Sequence, residues 1–308
     1  MSPMSEVSVV TQVHERVWTA YGRSSWASNL TLPTPSRALV LGGGGATGIG
    51  WLGGLIIGLR EQGIDLGTAD TVIGTSAGSV VGTHVALQTP LDLAFARLHG
   101  REPLKLGRLG LGDAERFLRG AFDPGRSHGR AVIGRAALKA RTATEEEFID
   151  VVAVDLRDTP WPSKRLIITT VDAVTGELTL FTNDSEVPLD RAVAASCAVP
   201  GVFPAVTIRG RQYVDGGVRS AANADLAIGH ERVLTLAPIP LAVRRYDRPA
   251  IQTKRLGPSA RSLVIAPDRR ARALIGFNPL DMSKASASVM AGRDQADRIA
   301  ERVADLWQ

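Results

Sequence analysis

Residues 37–63 have the sequence RALVLGGGGATGIGWLGGLIIGLREQG, and residues 70–87 have the sequence DTVIGTSAGSVVGTHVAL. In each stretch a short apolar run, typical of a buried strand, is followed by a glycine turn and a helical pattern. The first helix is predicted from about Gly48 to Gly63, a typical helix-ending glycine, and the second over residues 77–87. This repeated order of strand, turn and helix predicts an α/β fold with a parallel sheet.

Weaker patterns continue towards the C-terminus without an internal repeat or a clean linker. They predict a helix at 189–197, a C-terminal amphipathic helix, and strands at residues 164–171, 177–182, 206–208, 212–214, 232–236 and 262–265. We therefore expect one domain over residues 36–308, preceded by an N-terminal extension at residues 1–35.

The composition excludes several kinds of protein. The chain has 308 residues, of which 44% are hydrophobic and 22% charged, so it is neither disordered nor a collagen or a coiled coil. A single cysteine, Cys197, excludes an intramolecular disulfide and a cysteine-based zinc site. The longest apolar run, Gly48–Leu59, is too short to span a bilayer. The N-terminus has an early Glu6 and no basic region before an apolar core, unlike a secretory signal. We expect a cytoplasmic protein that is at most peripheral to membranes.

The formal net charge of +5 does not indicate nucleic-acid binding, because no run of five like charges occurs and aromatic residues do not alternate with basic ones. The basic residues are concentrated locally. Residues 101–141 hold ten Arg or Lys against four Asp or Glu, and residues 244–272 hold nine against two. Two interpretations stay open: a solvated surface, and a peripheral contact with an anionic membrane surface. No pattern indicates an oligomeric state.

The pentapeptide Gly74-Thr75-Ser76-Ala77-Gly78 matches the G-x-S-x-G motif between a predicted strand and a predicted helix. In this context the serine occupies a strained turn, and its hydroxyl projects from the sheet edge near the positive end of the helix dipole. We therefore interpret Ser76 as a candidate nucleophile. The alternative is an ordinary turn in which Ser76 caps the helix.

Four consecutive glycines, Gly42 to Gly45, follow the first strand. Their amides could form an oxyanion hole that faces Ser76, or they could cradle a phosphate. Residues 43–48 also fit the G-x-G-x-x-G dinucleotide pattern, with Asp65 about 20 residues further on, but a glycine-rich run satisfies this pattern easily. The serine motif favours the oxyanion hole.

A third motif, Val214-Asp215-Gly216-Gly217, follows a predicted hairpin. Asp215 could accept the Ser76 proton, or it could be a turn residue, since Asp-Gly is a common turn dipeptide. A histidine base has less support, because His84 lies about 12 Å from Ser76 along the same helix and His230 is placed to cap helix carbonyls. A carboxylate in a dry cleft gains basicity, so a serine–aspartate pair is chemically feasible.

In combination, the motifs GGGGATG, GTSAG and DGG resemble those of the patatin-like phospholipase family, as does ASCAVPGVFP at residues 195–204. The resemblance covers about residues 37–240 and implies a three-layer α/β/α fold with a mainly parallel central sheet. It implies Ser76 as the nucleophile and Asp215 as the general base of a catalytic dyad. It also implies oxyanion-hole amides from Gly43, Gly44 and Gly45, and supporting glycines at Gly48, Gly74, Gly78, Gly216 and Gly217.

The resemblance implies hydrolysis of acyl esters, often phospholipids or other lipids, through an acyl-enzyme, with neither a metal nor an organic cofactor. The expected partner is a lipid or another acyl-ester substrate. One departure is Thr47, where the family usually carries Arg or Lys, so this loop lacks a cation that could hold an anionic head group. Two alternatives remain: a catalytically inactive lipid-binding or interaction protein on the same fold, and a dinucleotide-binding oxidoreductase.

Overall fold

The computed structural model describes residues 35–92 and 126–308, and in these ranges strands and helices alternate as the sequence predicts. The strands are β1 (Arg37–Leu41), β2 (Thr71–Gly74), β3 (Arg165–Asp172), β4 (Leu178–Phe181), β5 (Val206–Ile208), β6 (Arg211–Asp215), β7 (Arg232–Leu236) and β8 (Arg261–Ile265). The α-helices are α1 (Gly45–Glu61), α2 (Ala77–Ala86), α3 (Arg126–Ala137), α4 (Glu145–Val152), α5 (Leu189–Cys197), α6 (Pro249–Gln252), α7 (Arg269–Ile275) and α8 (Ala285–Trp307). Residues 1–34 of the predicted extension and residues 101–125 of the first basic stretch lie outside the described residues.

The described strands form one sheet in which hydrogen-bonded neighbours follow the path β5-β6-β3-β2-β1-β7-β8, and β4 is also paired to β3. The five strands β3, β2, β1, β7 and β8 run parallel to one another. The pairs β3–β4, β3–β6 and β5–β6 are antiparallel. The prediction of a mainly parallel central sheet is therefore confirmed.

Both faces of the sheet are covered. Successive side chains of a strand point to opposite sides, and on β1 both sets are buried in a core. On β1, Leu39 and Leu41 belong to a large core that includes residues of α1, α2, α5 and α8. Ala38 and Val40 belong to a smaller core on the other face, which includes residues of the 3₁₀ turn Ala224–Ala227. A third cluster joins β3 and β6 to α3. The sheet is thus flanked by two helical layers, the second thinner than the first.

Helix α1 begins at Gly45 rather than at Gly48, so the end of the glycine loop is the first turn of the helix. Its predicted end is close to the observed one: the helix stops at Glu61, and Gly63 has a φ of +79°. The earlier start brings the amide-rich N-terminus of the helix to the sheet edge where β1 ends.

Helices α1 and α8 approach closely because glycines line their contact. A Cβ atom on Gly54 would lie 1.9 Å from the Val289 carbonyl oxygen, and one on Gly58 would lie 2.6 Å from the Ala296 Cβ. On α8, a Cβ on Gly292 would lie 2.2 Å from the Trp51 carbonyl oxygen. No side chain fits between these backbones, so the glycines set the distance between the two helices.

We predict that Gly54→Ala lowers the free energy of unfolding by about 2–3 kcal/mol, because the methyl group forces the two helix backbones apart. Urea denaturation measures the change. The control is Arg302→Ala on the exposed surface of α8, which should alter stability by less than about 0.5 kcal/mol. A stabilisation of about 1 kcal/mol, which alanine normally gives over glycine within a helix, would contradict the close packing.

Candidate active site

Ser76 lies in the sharp turn between β2 and α2, with a φ of +53° and a ψ of −121°. Left-handed backbone angles of this kind cost a non-glycine residue about 1–3 kcal/mol and persist only where the surroundings impose them. Here the turn is imposed by close packing, since a Cβ on Gly78 would lie 2.0 Å from the Leu41 carbonyl oxygen. The Ser76 amide donates to the Ser196 Oγ at 2.9 Å. The Ser76 hydroxyl makes no capping bond to α2, so the helix-cap alternative does not describe this serine.

Asp215 is the last residue of β6 and is 4% exposed. Its carboxylate accepts a hydrogen bond from the Gly217 amide at 2.6 Å, and its own amide donates to the Ala198 carbonyl at 3.0 Å. Gly216 is required here, because a Cβ would lie 2.3 Å from the Thr169 Oγ1. The turn therefore packs directly against β3.

Burial raises the pKa of Asp215 to about 6, while hydrogen bonds from the Ser76 side chain and the Gly217 amide act in the opposite direction. The carboxylate thus faces the Ser76 hydroxyl in an environment that disfavours its charge. A pKa near 6 leaves it mostly ionised at neutral pH but more basic than an aspartate in water. This combination suits a group that accepts a proton from a serine.

A buried amide side chain connects the two turns. Asn223 Nδ2 donates to the Thr75 Oγ1 at 3.0 Å, to the Thr169 Oγ1 at 3.3 Å and to the Gly216 carbonyl at 3.4 Å. Thr75 precedes Ser76 and Gly216 follows Asp215, so one amide group contacts the Thr75 side chain in one turn and the backbone of the other. No sequence pattern singled out Asn223, because Thr75 and Thr169 are distant from it along the chain.

Arg219 fixes the orientation of that amide group. Its guanidinium donates to the Asn223 Oδ1 at 2.5 Å and also pairs with the Asp225 carboxylate. Because the Asn223 oxygen accepts from Arg219, the Asn223 nitrogen must face Thr75 and Thr169. Arg219 and Asp225 are thereby part of the support behind the two candidate residues.

The three glycine amides that the sequence predicts for an oxyanion hole differ in their hydrogen bonding. The Gly43 amide donates to the Ala221 carbonyl at 2.7 Å, so this N–H group is already used within the fold. Among the described residues, the amides of Gly44 and Gly45 have no hydrogen-bond partner, and neither has that of Ala77, the residue after Ser76. Gly44, Gly45 and Ala77 therefore offer the available donors, of which the sequence had indicated only the first two.

A cavity of about 420 Å³ brings these groups together, within the usual size of a small-ligand site. Ser76, Asp215, Gly217 and the loop Gly43–Gly45 line one side of it. The other walls are largely apolar and include Ile133, Val199, Pro200, Val218, Ile239 and Leu280. The remaining predicted glycines do not line the cavity: Gly74, Gly78 and Gly216 lie in tightly packed backbone, whereas a Cβ on Gly48 would meet the Pro238 Cβ at an ordinary 3.4 Å.

The described histidines are engaged elsewhere or lie outside the cavity. His84 pairs with Asp155 at 3.3 Å, and the His230 ring contacts the Ala227 carbonyl at 3.1 Å and the Thr71 Oγ1 at 2.9 Å. His128 is exposed on α3, and none of these three lines the cavity. His14 and His99 lie outside the described residues. The predicted capping role of His230 is consistent with its contact to Ala227.

Cys197 also lies near the two candidate residues, with its Sγ 3.8 Å from the Ser79 Oγ. Burial, followed by the nearby Asp215 charge, raises the pKa of its thiol. A thiol in these surroundings stays protonated and is a poor nucleophile. Ser76 is therefore a better candidate nucleophile than Cys197.

Two further residues bear on the alternatives of a dinucleotide site and of a basic loop. The Asp65 carboxylate accepts from the Gly67 amide at 2.7 Å and caps the turn before β2, so it is engaged away from the glycine loop. Thr47 is buried and donates through its amide to the Pro279 carbonyl at 3.1 Å. Neither residue is part of the cavity lining, so neither contributes a ligand group there.

Within residues 35–92 and 126–308, no cluster of metal-ligating side chains occurs. In the same ranges no helix has the length and hydropathy needed to cross a bilayer.

Comparison with known proteins assigns more than half of the chain to one family. A family model described as patatin-like phospholipase matches residues 39–228. Two NTE family proteins named as uncharacterised, one from Mycobacterium bovis and one from Mycobacterium tuberculosis, are each 30% identical over 206 residues, which cover 63% of this chain and 48% of theirs. The chain thus spans about half the length of the curated relatives it matches.

Two solved structures are similar at low sequence identity. The crystal structure of VipD from Legionella pneumophila has a TM-score of 0.46 and 13% identity, and the match covers 92% of this chain and 70% of that one. The ExoU chain in the ExoU–SpcU complex from Pseudomonas aeruginosa has a TM-score of 0.38 and 18% identity, with coverages of 91% and 53%.

We predict that Asp215→Asn becomes more stable than the wild type as the pH rises. The folded state raises the pKa of Asp215 to about 6 from an unfolded value of 3.8, so its stabilising contribution is complete below pH 3.8 and is lost as the pH rises through 6. An asparagine does not titrate, so its advantage should grow by up to about 3 kcal/mol between pH 4 and pH 8. Urea denaturation at both pH values measures this.

The matched control is Asp158→Asn, because the Asp158 side chain is exposed in the folded protein. Its difference from the wild type should be the same at the two pH values. An Asp215→Asn advantage that shrinks with rising pH would contradict the buried, charge-disfavouring environment of Asp215.

Proposed function

The chain belongs to the patatin-like phospholipase family, and from that premise and its cavity we propose that it is a serine acyl hydrolase that cleaves lipid esters through a Ser76–Asp215 dyad. The observation that carries the proposal is the buried Asp215 carboxylate facing the Ser76 hydroxyl in a largely apolar cavity. Neither residue has a histidine beside it in that cavity, whose lining contains none. A carboxylate with a raised pKa takes the place of the usual imidazole base.

In the first half of the reaction, the Ser76 oxygen attacks the ester carbonyl carbon while Asp215 accepts the hydroxyl proton. The tetrahedral intermediate collapses, the proton passes from Asp215 to the departing alcohol oxygen, and the acyl group stays on Ser76. In the second half, Asp215 removes a proton from water, which attacks the acyl-enzyme carbonyl. Collapse of the second intermediate returns the proton to Ser76 and releases the fatty acid.

The negative oxygen of both intermediates needs donors in fixed positions. The Gly44 and Gly45 amides at the start of α1, whose residues line the cavity, and the Ala77 amide at the start of α2, next to Ser76 in the chain, are unpaired among the described residues. Removal of one such donor from a serine hydrolase typically lowers kcat by about 10²–10³. The Gly43 amide supports this loop through Ala221 instead.

The apolar walls of the cavity account for the substrate class. Ile133, Val199 and Leu280 present hydrocarbon surface opposite the polar corner formed by Ser76 and Asp215. A fatty acyl chain buries apolar area there, at roughly 25 cal/mol for each Å² removed from water. The ester group is then the polar end of the substrate that meets the dyad.

We predict that a fluorophosphonate forms one covalent adduct with the wild-type protein, no adduct with Ser76→Ala, and a slowed adduct with Asp215→Asn. Loss of a general base typically slows such a step by about 10²–10⁴. Intact-protein mass spectrometry follows the adduct with time. Ser262→Ala, at an exposed serine of β8, is the control and should react like the wild type. An adduct that persists in folded Ser76→Ala would overturn the assignment.

A second prediction concerns pH, because only the ionised form of Asp215 accepts a proton. For a short-chain water-soluble ester, kcat/KM should fall about tenfold per pH unit below pH 6 and level off above it, following the Asp215 pKa of about 6. Stopped or continuous assays across pH 4 to 8 measure the profile, with Ser76→Ala as the background control. A profile that stays flat from pH 4 to 8 would contradict Asp215 as the base.

A further inference from the structure

Large apolar side chains point into solvent on two segments around the cavity opening. Residues 239–248 follow β7. Residues 274–284 comprise the last two residues of α7 and the connection to α8. We call these two segments together the entrance surface. In the first, Leu241 is 68% exposed and Val243 is 63% exposed. In the second, Phe277 is fully exposed and Met282 is 46% exposed. Side chains of this size are normally buried, so their grouping on one surface indicates a partner.

The entrance surface is continuous with the candidate active site. Ile239, Leu241 and Val243 line the cavity from the first segment, and Pro279 and Leu280 line it from the second. The second segment is held in place because the Thr47 amide and hydroxyl both approach the Pro279 carbonyl, at 3.1 Å and 3.4 Å. Whatever binds the exposed apolar residues therefore also covers the opening to Ser76.

Cations lie beside these apolar residues. The first segment carries Arg244, Arg245 and Arg248 against Asp247, and α7, which leads into the second segment, carries Arg269, Arg270 and Arg272. Arg245, Arg248 and the three α7 arginines are exposed. The Asp268 carboxylate near α7 is already paired with Arg298. The entrance surface thus combines exposed hydrocarbon with a local excess of positive charge.

This combination matches the interface of an anionic bilayer better than a folded protein partner. Apolar side chains insert at the boundary of head groups and acyl chains, while neighbouring arginines bind the negative head groups. A protein bound at the same place would close the opening to the active site. A bilayer bound there would instead present ester-linked acyl chains directly to the cavity.

We propose that the entrance surface docks on anionic phospholipid bilayers, with Phe277 inserted and Arg245 and Arg248 bound to head groups. The delivery of a lipid to Ser76 rests on the proposed function, whereas docking does not require catalysis. The second basic stretch of the sequence, residues 244–272, then contributes to a membrane contact rather than to a solvated surface only.

The test measures co-sedimentation of the full chain with vesicles of phosphatidylcholine, with and without phosphatidylglycerol, at low ionic strength. We expect the wild type to bind the anionic vesicles preferentially, and Arg245→Glu/Arg248→Glu to lower the partition coefficient at least fivefold, since each basic residue near such a surface contributes about a fivefold effect. Phe277→Ser should lower it as well. None of these three residues lines the cavity, so hydrolysis of a short-chain soluble ester should be unchanged.

Matched controls lie away from the entrance surface. Arg60→Glu/Arg302→Glu makes the same charge change near the C-terminal ends of α1 and α8, and Val154→Ser removes an exposed aliphatic side chain elsewhere. These variants should bind within about twofold of the wild type if the effect is local to the entrance surface.

The remaining outcomes each decide against the proposal. It is overturned by an absence of binding, by equal binding to neutral and anionic vesicles, or by an equal loss in Arg60→Glu/Arg302→Glu. A concentration-dependent dimer that Phe277→Ser abolishes would assign the entrance surface to a second copy of the chain and would also overturn it. Ser76→Ala is measured in the same assay: if it binds vesicles while the wild type hydrolyses no ester, only the proposed function fails.

Discussion

The first half of β3 pairs with β2 and its second half pairs with β6. Because β4 pairs with a part of β3 that overlaps both, it occupies one edge, and β2 and β6 share the other. They run in opposite directions along that edge, with Gly74 paired to Ile168 and Asp215 paired to Thr170. Their C-terminal ends therefore meet, and the turns that follow them carry Ser76 and Asp215. The proposed dyad depends on this shared edge, which hydrogen bonds of the sheet hold in register.

Everything packed behind the two turns keeps them close. Thr169 lies between the paired positions, and its hydroxyl shares a hydrogen bond with the Thr75 hydroxyl at 2.8 Å. The Thr169 carbonyl accepts from the Ser196 hydroxyl, and the Ser196 oxygen in turn accepts from the Ser76 amide. Asn223 adds a second connection between the two turns, because its side-chain amide donates to both the Thr75 hydroxyl and the Gly216 carbonyl. Buried polar groups of this kind cost about 1–3 kcal/mol each when left without a partner, so the network has a strong preference for one arrangement. Rigid support allows Ser76 to keep its strained backbone angles.

Local sequence patterns predicted much of the fold and the backbone context of the candidate site. RALVL, DTVI and the glycine turns after them predicted β1, β2 and the helices that follow, and the strand-turn-helix context of Ser76 is present as expected. The loss of the Gly43 amide to Ala221 and the role of Asn223 could not be predicted in the same way, because both depend on partners brought together only by the sheet. The start of α1 was misplaced for a local reason, since glycines weaken a helical pattern even where the backbone is helical.

The part of the chain beyond the family match completes the cavity. The family model ends at residue 228, yet Ile239, Leu241 and Leu280 line the same cavity as Ser76. The glycine loop rests on the same region, since a Cβ on Gly44 would lie 2.6 Å from the Pro238 Cβ and one on Gly45 would lie 2.4 Å from the Pro279 carbonyl oxygen. The proposed reacting groups therefore lie in the region that matches the family, while part of the cavity wall comes from residues outside it. Thr47 donates to Pro279 instead of carrying a charge, so the cations that line the cavity come from elsewhere: Arg130 and Arg219 from the region of the family match, and Arg244 from the C-terminal region.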